Sequence, residues 1–177
     1  MPRRVGSVVP SSPQLAKRMA REVAHFLGSK PGGRIVEVGA GTGAITRALV
    51  NSRTAAPLTV VEADRGCCAY LRRHFPLVQV IEGLVEENEE RLTTPGARLA
   101  LVSSVPLFSL TGDQRTNVLA AYERLIRRAS AARIVQFTYA PWLPDQRAYS
   151  LLGRRAQSVW QNLPPAWVWS ATHQIST

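Results

Sequence analysis

The sequence is poor in cysteine and in acids, and it has no long apolar run. Only two cysteines occur among 177 residues, the neighbours Cys67 and Cys68. Adjacent cysteines do not form an ordinary structural bridge, and neither sits in a metal-ligand spacing. A disulfide scaffold is excluded, no metal is expected, and a reducing compartment fits. No stretch of about 18 apolar residues exists, so no membrane-spanning helix is expected. The opening "MPRRVGSVVP" carries positive charge without a useful apolar core, so no secretory signal is expected. Acids are scarce: 12 Asp and Glu face 22 Lys and Arg, a net charge of +10. That balance points to an anionic partner, either nucleic acid or an acidic membrane surface.

What is present is enough for one folded domain. Apolar residues make up 45% and charged residues 19%, which supports a buried core and argues against disorder. No internal repeat or low-complexity tract appears. Helical and strand patterns alternate. A helix is expected over 13–27, with Ser12 as N-cap, Pro13 in the first turn and Gly28 at the end. Buried-strand patterns occupy 34–39, 58–63, 78–83, 98–104 and 133–139. Between them come helices at 44–50, from Asp64 to His74, in the acidic "VEENEERL", and from the capping box Thr111/Gln114 to Arg128. A helix over 145–155 follows, then two strands, "AQSVWQ" and "AWVWSAT", joined by "NLPP" as an antiparallel hairpin. The alternation predicts an α/β fold with a mostly parallel sheet covered by helices on both faces.

The first strand runs into "EVGAGTG", residues 37–43, and a helix follows. This is the setting a nucleotide loop requires, since glycine lets a ligand approach the main chain. A dinucleotide fingerprint would read G-x-G-x-x-G, whereas here Gly39, Gly41 and Gly43 alternate with Ala40 and Thr42. Glu37 adds a carboxylate that suits a sulfonium or an amino group better than a pyrophosphate. Glu62, about 20 residues on and followed by Ala63, is placed for ribose hydroxyls. The glycine spacing and Glu37 disfavour a nicotinamide oxidoreductase. "SSVPLF" (103–108) and "QFTYAPW" (136–142) end later strands, and ligands of open α/β sheets bind outside the carboxyl ends of strands.

"EVGAGTG" followed by "VVEAD" resembles the S-adenosylmethionine site of class I methyltransferases. The segments "VGSVVPSSPQLAKRMA", "VEVGAGTGAITRAL", "SSVPLFSL", "VQFTYAP" and "VWQNLPPAWVW" resemble the soluble bacterial phosphatidylethanolamine N-methyltransferases, from about Val5 to Trp169. The resemblance implies a single-domain, Rossmann-like fold with a seven-stranded sheet ending in an antiparallel hairpin. It implies S-adenosylmethionine as cofactor, held by Glu37, Gly39, Ala40, Gly41, Thr42, Gly43, Glu62, Ala63, Gly83, Leu84, Val85 and Ser103. Many relatives carry Asp where Leu84 stands, and Gly where Ser104 stands. The implied acceptor is the ethanolamine amine of phosphatidylethanolamine, methylated up to three times toward phosphatidylcholine. Ser12, Ser104, Pro106, Phe108, Trp142 and Trp160 are the candidate acceptor residues, and Tyr139 the candidate catalytic one. Tyr139 has two open roles, orienting a proton or holding the phosphate. Aromatic faces suit the methylated cation, whereas Trp167 and Trp169, alternating on one strand, are expected to pack.

Residues 1–34 hold Arg3, Arg4, Lys17, Arg18, Arg21, Lys30 and Arg34 against one acid, Glu22. At about 100° per residue, Lys17, Arg18, Arg21 and His25 share one arc, while Leu15, Met19, Val23 and Phe26 lie opposite. Residues 1–30 are therefore expected to contact an anionic membrane or act as a lid, and 31–177 to form the methyltransferase domain. Ser11 and Ser12 could bind a phosphate at the helix start. A cytoplasmic protein, peripheral on the inner face of the plasma membrane, would follow. The alternatives are an RNA adenine N6-dimethyltransferase, a methyltransferase of another aminolipid such as an ornithine lipid, and a non-catalytic cofactor-binding module. The first of these carries N-[LIP]-P-[YF] where this chain reads Ser104-Val105-Pro106-Leu107, so nucleic acid is disfavoured.

Overall fold

The computed structural model describes residues 11–28, 31–52, 54–153 and 156–174. Arg3, Arg4, Lys30 and the expected helical positions 154–155 lie outside them. The elements in chain order are α1 (Pro13–Leu27), β1 (Gly33–Val38), α2 (Ala44–Asn51), β2 (Leu58–Glu62), α3 (Arg65–His74) and β3 (Gln79–Glu82). Then come α4 (Glu89–Leu92), β4 (Arg98–Ser103), α5 (Gly112–Arg128), β5 (Ala131–Thr138), α6 (Gln146–Leu152), β6 (Ala156–Val159) and β7 (Ala166–Gln174). The strands form one seven-stranded sheet in the order β3-β2-β1-β4-β5-β7-β6. β1 to β5 are parallel, while β7 runs antiparallel to both β5 and β6. The order reverses between β1 and β4, and a crevice at such a switch point is where doubly wound sheets bind ligands.

One face of the sheet packs Leu99, Leu101, Ile134 and Trp169 against Tyr122, Leu125 and Ile126 of α5. The other packs Ile35, Val102, Val135 and Val168 against α1 and α2. Two expectations change here. The acidic helix over 85–92 is broken into a 3-10 turn at Val85–Glu87 and the single turn of α4. The break is at Asn88: its side chain donates to the Leu84 carbonyl at 2.9 Å, while its N–H bonds Val85 O instead. A side chain that takes the carbonyl of the preceding turn competes with continuous helix. Likewise α6 stops at Leu152, because Gly153 adopts φ +84°.

The larger correction concerns α1. Leu15, Met19 and Val23 are fully buried on the sheet, so the apolar arc expected to meet lipid belongs to the core. Arg18 pairs with Glu22 at 2.8 Å, and Glu22 also pairs with Arg133 of β5. Arg98 donates to the Leu27 carbonyl at 2.9 Å and to that of Phe26. α1 is therefore a layer of the same domain as the sheet. Of the basic arc, Lys17, Arg21 and His25 are exposed, whereas Arg18 is half-buried.

Candidate functional site

Glycine does two different jobs in the loop after β1. Gly43, at φ +79°, opens α2, and a Cβ there would lie 2.6 Å from Phe75 Cε2 and 2.9 Å from Leu71 Cδ2. This glycine is required by packing against α3. Gly41, at φ +55°, has nothing within 4 Å of the corresponding position, so the loop presents bare backbone to open space. Ala40 packs its side chain on Val60, Leu71 and Phe75, whereas Thr42 is exposed.

Two carboxylates flank this loop. Glu37 is fully buried, and Thr46 Oγ1 donates to its Oε2 at 2.7 Å. Its other oxygen, Oε1, has no hydrogen-bond partner. Burial pushes the Glu37 carboxyl up to about 7; the Thr46 bonds oppose this and the charge of Glu62 adds to it. Glu62 accepts from Gly41 N–H at 2.8 Å and from Asp64 N–H at 2.9 Å. Each bonded oxygen keeps a further lone pair. A buried, half-satisfied carboxylate beside a cradle of bare backbone fits a cationic ligand, and a second carboxylate at the adjacent strand end fits a vicinal diol. S-adenosylmethionine carries both groups. After β3, Gly83 (φ +136°) and exposed Leu84 border the same end, while the Val85 side chain is buried in the core.

The remaining expected residues follow the ends of β4, β5 and β6, except Ser12 at the start of α1; the side chains of Ser103 and Ser12 are engaged elsewhere. Ser103 is fully buried, and its hydroxyl accepts from Tyr122 at 2.7 Å and from Val105 N–H at 3.3 Å. Its side chain therefore fastens the strand end to α5 and does not reach for a cofactor. Ser104 differs: its buried Oγ has no partner. Val105 lies against Gly39, which brings the 104–108 loop to the glycine loop. Pro106 is half-buried, Leu107 is buried and Phe108 is exposed. Tyr139 stacks edge-on with Phe137 at 5.5 Å between centroids. Burial holds its phenol above the ordinary range, and a hydrogen bond with the Asn162 side chain partly offsets this. Trp142 and Trp160 are exposed, whereas Trp169 is buried and donates Nε1–H to Thr138 Oγ1 at 2.9 Å. Ser12 caps α1 with its Oγ, and its own N–H donates to Asn162 Oδ1 at 2.9 Å. Its side chain is thereby committed to the helix.

Two residues outside the expected set organise the rim. Asn162 is buried and joins three segments: it accepts from Ser12, donates to Pro164 O at 2.6 Å and bonds Tyr139. Gln136 donates Nε2–H to Val105 O at 3.0 Å and to Phe137 O at 2.8 Å, so it clamps the 104–108 loop. Its Oε1 has no partner. The available signal was a lone amide inside an apolar strand, since a buried amide must be hydrogen-bonded somewhere.

Comparison with known proteins agrees with this frame. No family model matches the chain. The ribosomal RNA small subunit methyltransferase A of Chlorobium chlorochromatii (strain CaD3) is 30% identical over 146 residues, 80% of this chain and 53% of that protein. The chain thus spans about half the length of the ribosomal RNA relatives it matches. The ornithine lipid N-methyltransferase of Singulisphaera acidiphila is 28% identical over 170 residues, 92% of this chain and 85% of that protein. Among solved structures, the 1,6-didemethyltoxoflavin-N1-methyltransferase of Burkholderia thailandensis superposes with a TM-score of 0.64 at 16% identity, covering 91% of this chain and 79% of that one. The fold is that of the class I methyltransferases.

Proposed function

We propose that the protein is an S-adenosylmethionine-dependent N-methyltransferase acting on the amine of an aminolipid head group. Phosphatidylethanolamine is the first acceptor, methylated in steps toward phosphatidylcholine. The observation that carries this reading is the composition of the acceptor edge. Phe108, Tyr139, Trp142 and Trp160 offer rings to a methylated cation. Position 104 carries no carboxamide, and Leu107 is buried in the core, so neither presents what a flipped adenine would need. The ornithine lipid enzyme supports the reading further, because its likeness runs over most of both chains.

When bound, S-adenosylmethionine supplies a methyl group already activated by a positive sulfur. The remaining work is to bind, orient and exclude water. Glu37 would face the cationic part and Glu62 the ribose hydroxyls. The clamp from Gln136 to Val105 holds the acceptor loop against the glycine loop. Tyr139, a phenol that burial moves still further above the neutral range, acts as a hydrogen-bond donor and suits the head-group phosphate better than the role of base.

A second reading, methylation of an RNA adenine, draws on the ribosomal RNA methyltransferase relatives and the net charge of +10. One experiment separates the two. The protein is incubated with methyl-labelled S-adenosylmethionine and separate vesicles of phosphatidylethanolamine, ornithine lipid or phosphatidylglycerol, or with unmodified ribosomal RNA. Label in phosphatidylethanolamine supports the first reading; label in RNA alone replaces it with the second.

A further inference from the structure

Exposed apolar surface is concentrated around the site. Among the described residues nine large apolar side chains are exposed. Six of them, Leu84, Phe108, Tyr139, Trp142, Trp160 and Leu163, follow the carboxyl ends of β3, β4, β5 and β6. The topology puts these ends on one rim, because β6 runs parallel to β5 through their shared antiparallel partner β7. Of these six the two most exposed are Leu163 at 87% and Trp160 at 71%, both on the turn between β6 and β7; Leu77, at 99%, lies apart from them, between α3 and β3.

This turn is held in place. Asn162, between Trp160 and Leu163, is only 2% exposed and ties the turn to Ser12, to Pro164 and to Tyr139. Trp160 rests edge-on against Trp167, with ring centroids 6.4 Å apart. An anchored polar residue thus presents an apolar tip to solvent beside the candidate site. The start of α1 reaches the same place through Ser12, and Lys17 and Arg21 stand exposed along that helix.

We propose that the β6–β7 turn, with Leu163 and Trp160 at its tip, inserts into the interface of an anionic bilayer and seats the rim of the site on the lipid surface. The proposal rests on the aminolipid reading, and it moves the membrane contact from α1 to the turn. Interfacial binding needs apolar insertion plus attraction to anionic lipid. The apolar arc of α1 is buried and cannot insert, so α1 supplies the attraction and the turn the insertion. Indole rings suit the boundary between head groups and acyl chains. A nucleic-acid strand is the poorer fit. Leu163 has no ring on which a base can stack. Arg115, beside the acceptor loop, is held by Asp145 at 2.8 Å and by the carbonyls of Leu107 and Leu110.

The test uses the whole chain with vesicles of phosphatidylcholine containing phosphatidylglycerol. Sedimentation is measured for the wild type, Leu163→Asp and Leu163→Trp, alongside thermal unfolding and calorimetry with S-adenosylhomocysteine. Leu163→Asp should lower vesicle partition about tenfold or more, with cofactor-product affinity and unfolding temperature unchanged. Leu163→Trp should partition at least as well as the wild type. Leu163→Asp should also still methylate detergent-dispersed phosphatidylethanolamine, which separates docking from chemistry. If Leu163→Asp partitions like the wild type, the turn is not the contact and the proposal fails. It fails equally if the wild type ignores vesicles but binds single-stranded RNA through Trp160. A protein that docks through Leu163 yet methylates no aminolipid would overturn the acceptor assignment and leave the docking surface standing.

Discussion

Glu37→Gln tests whether a buried carboxylate is kept in this fold for a cationic ligand. Glu37 is fully buried, and its carboxyl is pushed from its ordinary 4.5 up to about 7. Between those values the folded protein keeps a proton that the unfolded chain has released. The corresponding stability is fully present below about pH 4.5 and is lost as pH rises through about 7. Each unit is worth about 1.4 kcal/mol, so the ionised side chain costs the ligand-free fold on the order of 3 kcal/mol at pH 8. Gln has the same shape and no ionisation, and Thr46 can still donate to its oxygen. Its buried amide carries its own cost, roughly 1–3 kcal/mol if unpartnered, but that cost does not depend on pH. The informative quantity is therefore the difference in urea-unfolding free energy between variant and wild type, compared at pH 5 and pH 8. It should shift in favour of the variant by roughly 2–3 kcal/mol. A difference that stays the same at both pH values would show that the Glu37 carboxyl is not held above its ordinary value in the fold. Calorimetry with S-adenosylmethionine supplies the other half. The wild type should release protons on binding below pH 7, because a cationic ligand favours the ionised carboxylate, and Glu37→Gln should bind weakly and release none.

Two further predictions concern the neighbouring side chains. Glu62→Ala removes the acceptor for Gly41 N–H and Asp64 N–H and the group placed for ribose. At about 1.5–3 kcal/mol per charge-assisted bond, cofactor affinity should fall tenfold or more by calorimetry; unchanged affinity would remove Glu62 from the site. Tyr139→Phe should lower turnover far more than cofactor affinity, since its hydroxyl serves the acceptor side; turnover within twofold of the wild type would leave the ring as a packing element.

Local order was plain in the sequence because local rules set it. Ser12, Pro13 and Gly28 bound a helix over the expected residues, and buried apolar runs became the five parallel strands. The glycine loop and Glu62 meet as their strand–loop–helix spacing implies. What stayed hidden depends on partners distant in sequence. The amphipathic pattern of α1 shows that one face is apolar, but not whether lipid or the protein's own sheet covers it. Asn162 and Ser12 are 150 residues apart, so no spacing relates them. Ser103 and Ser104 are neighbours of one type, yet Tyr122 claims the first hydroxyl and leaves the second unpaired. Only the placement of α5 decides between them.

Methyl transfer to a lipid amine can be set against transfer to RNA by competition in one vessel. The protein receives limiting labelled S-adenosylmethionine together with phosphatidylethanolamine vesicles and unmodified ribosomal RNA, and both fractions are analysed by mass spectrometry. Methyl groups are expected on the head-group nitrogen, added one after another, and none on the RNA. Methylated adenine beside unchanged lipid would contradict it.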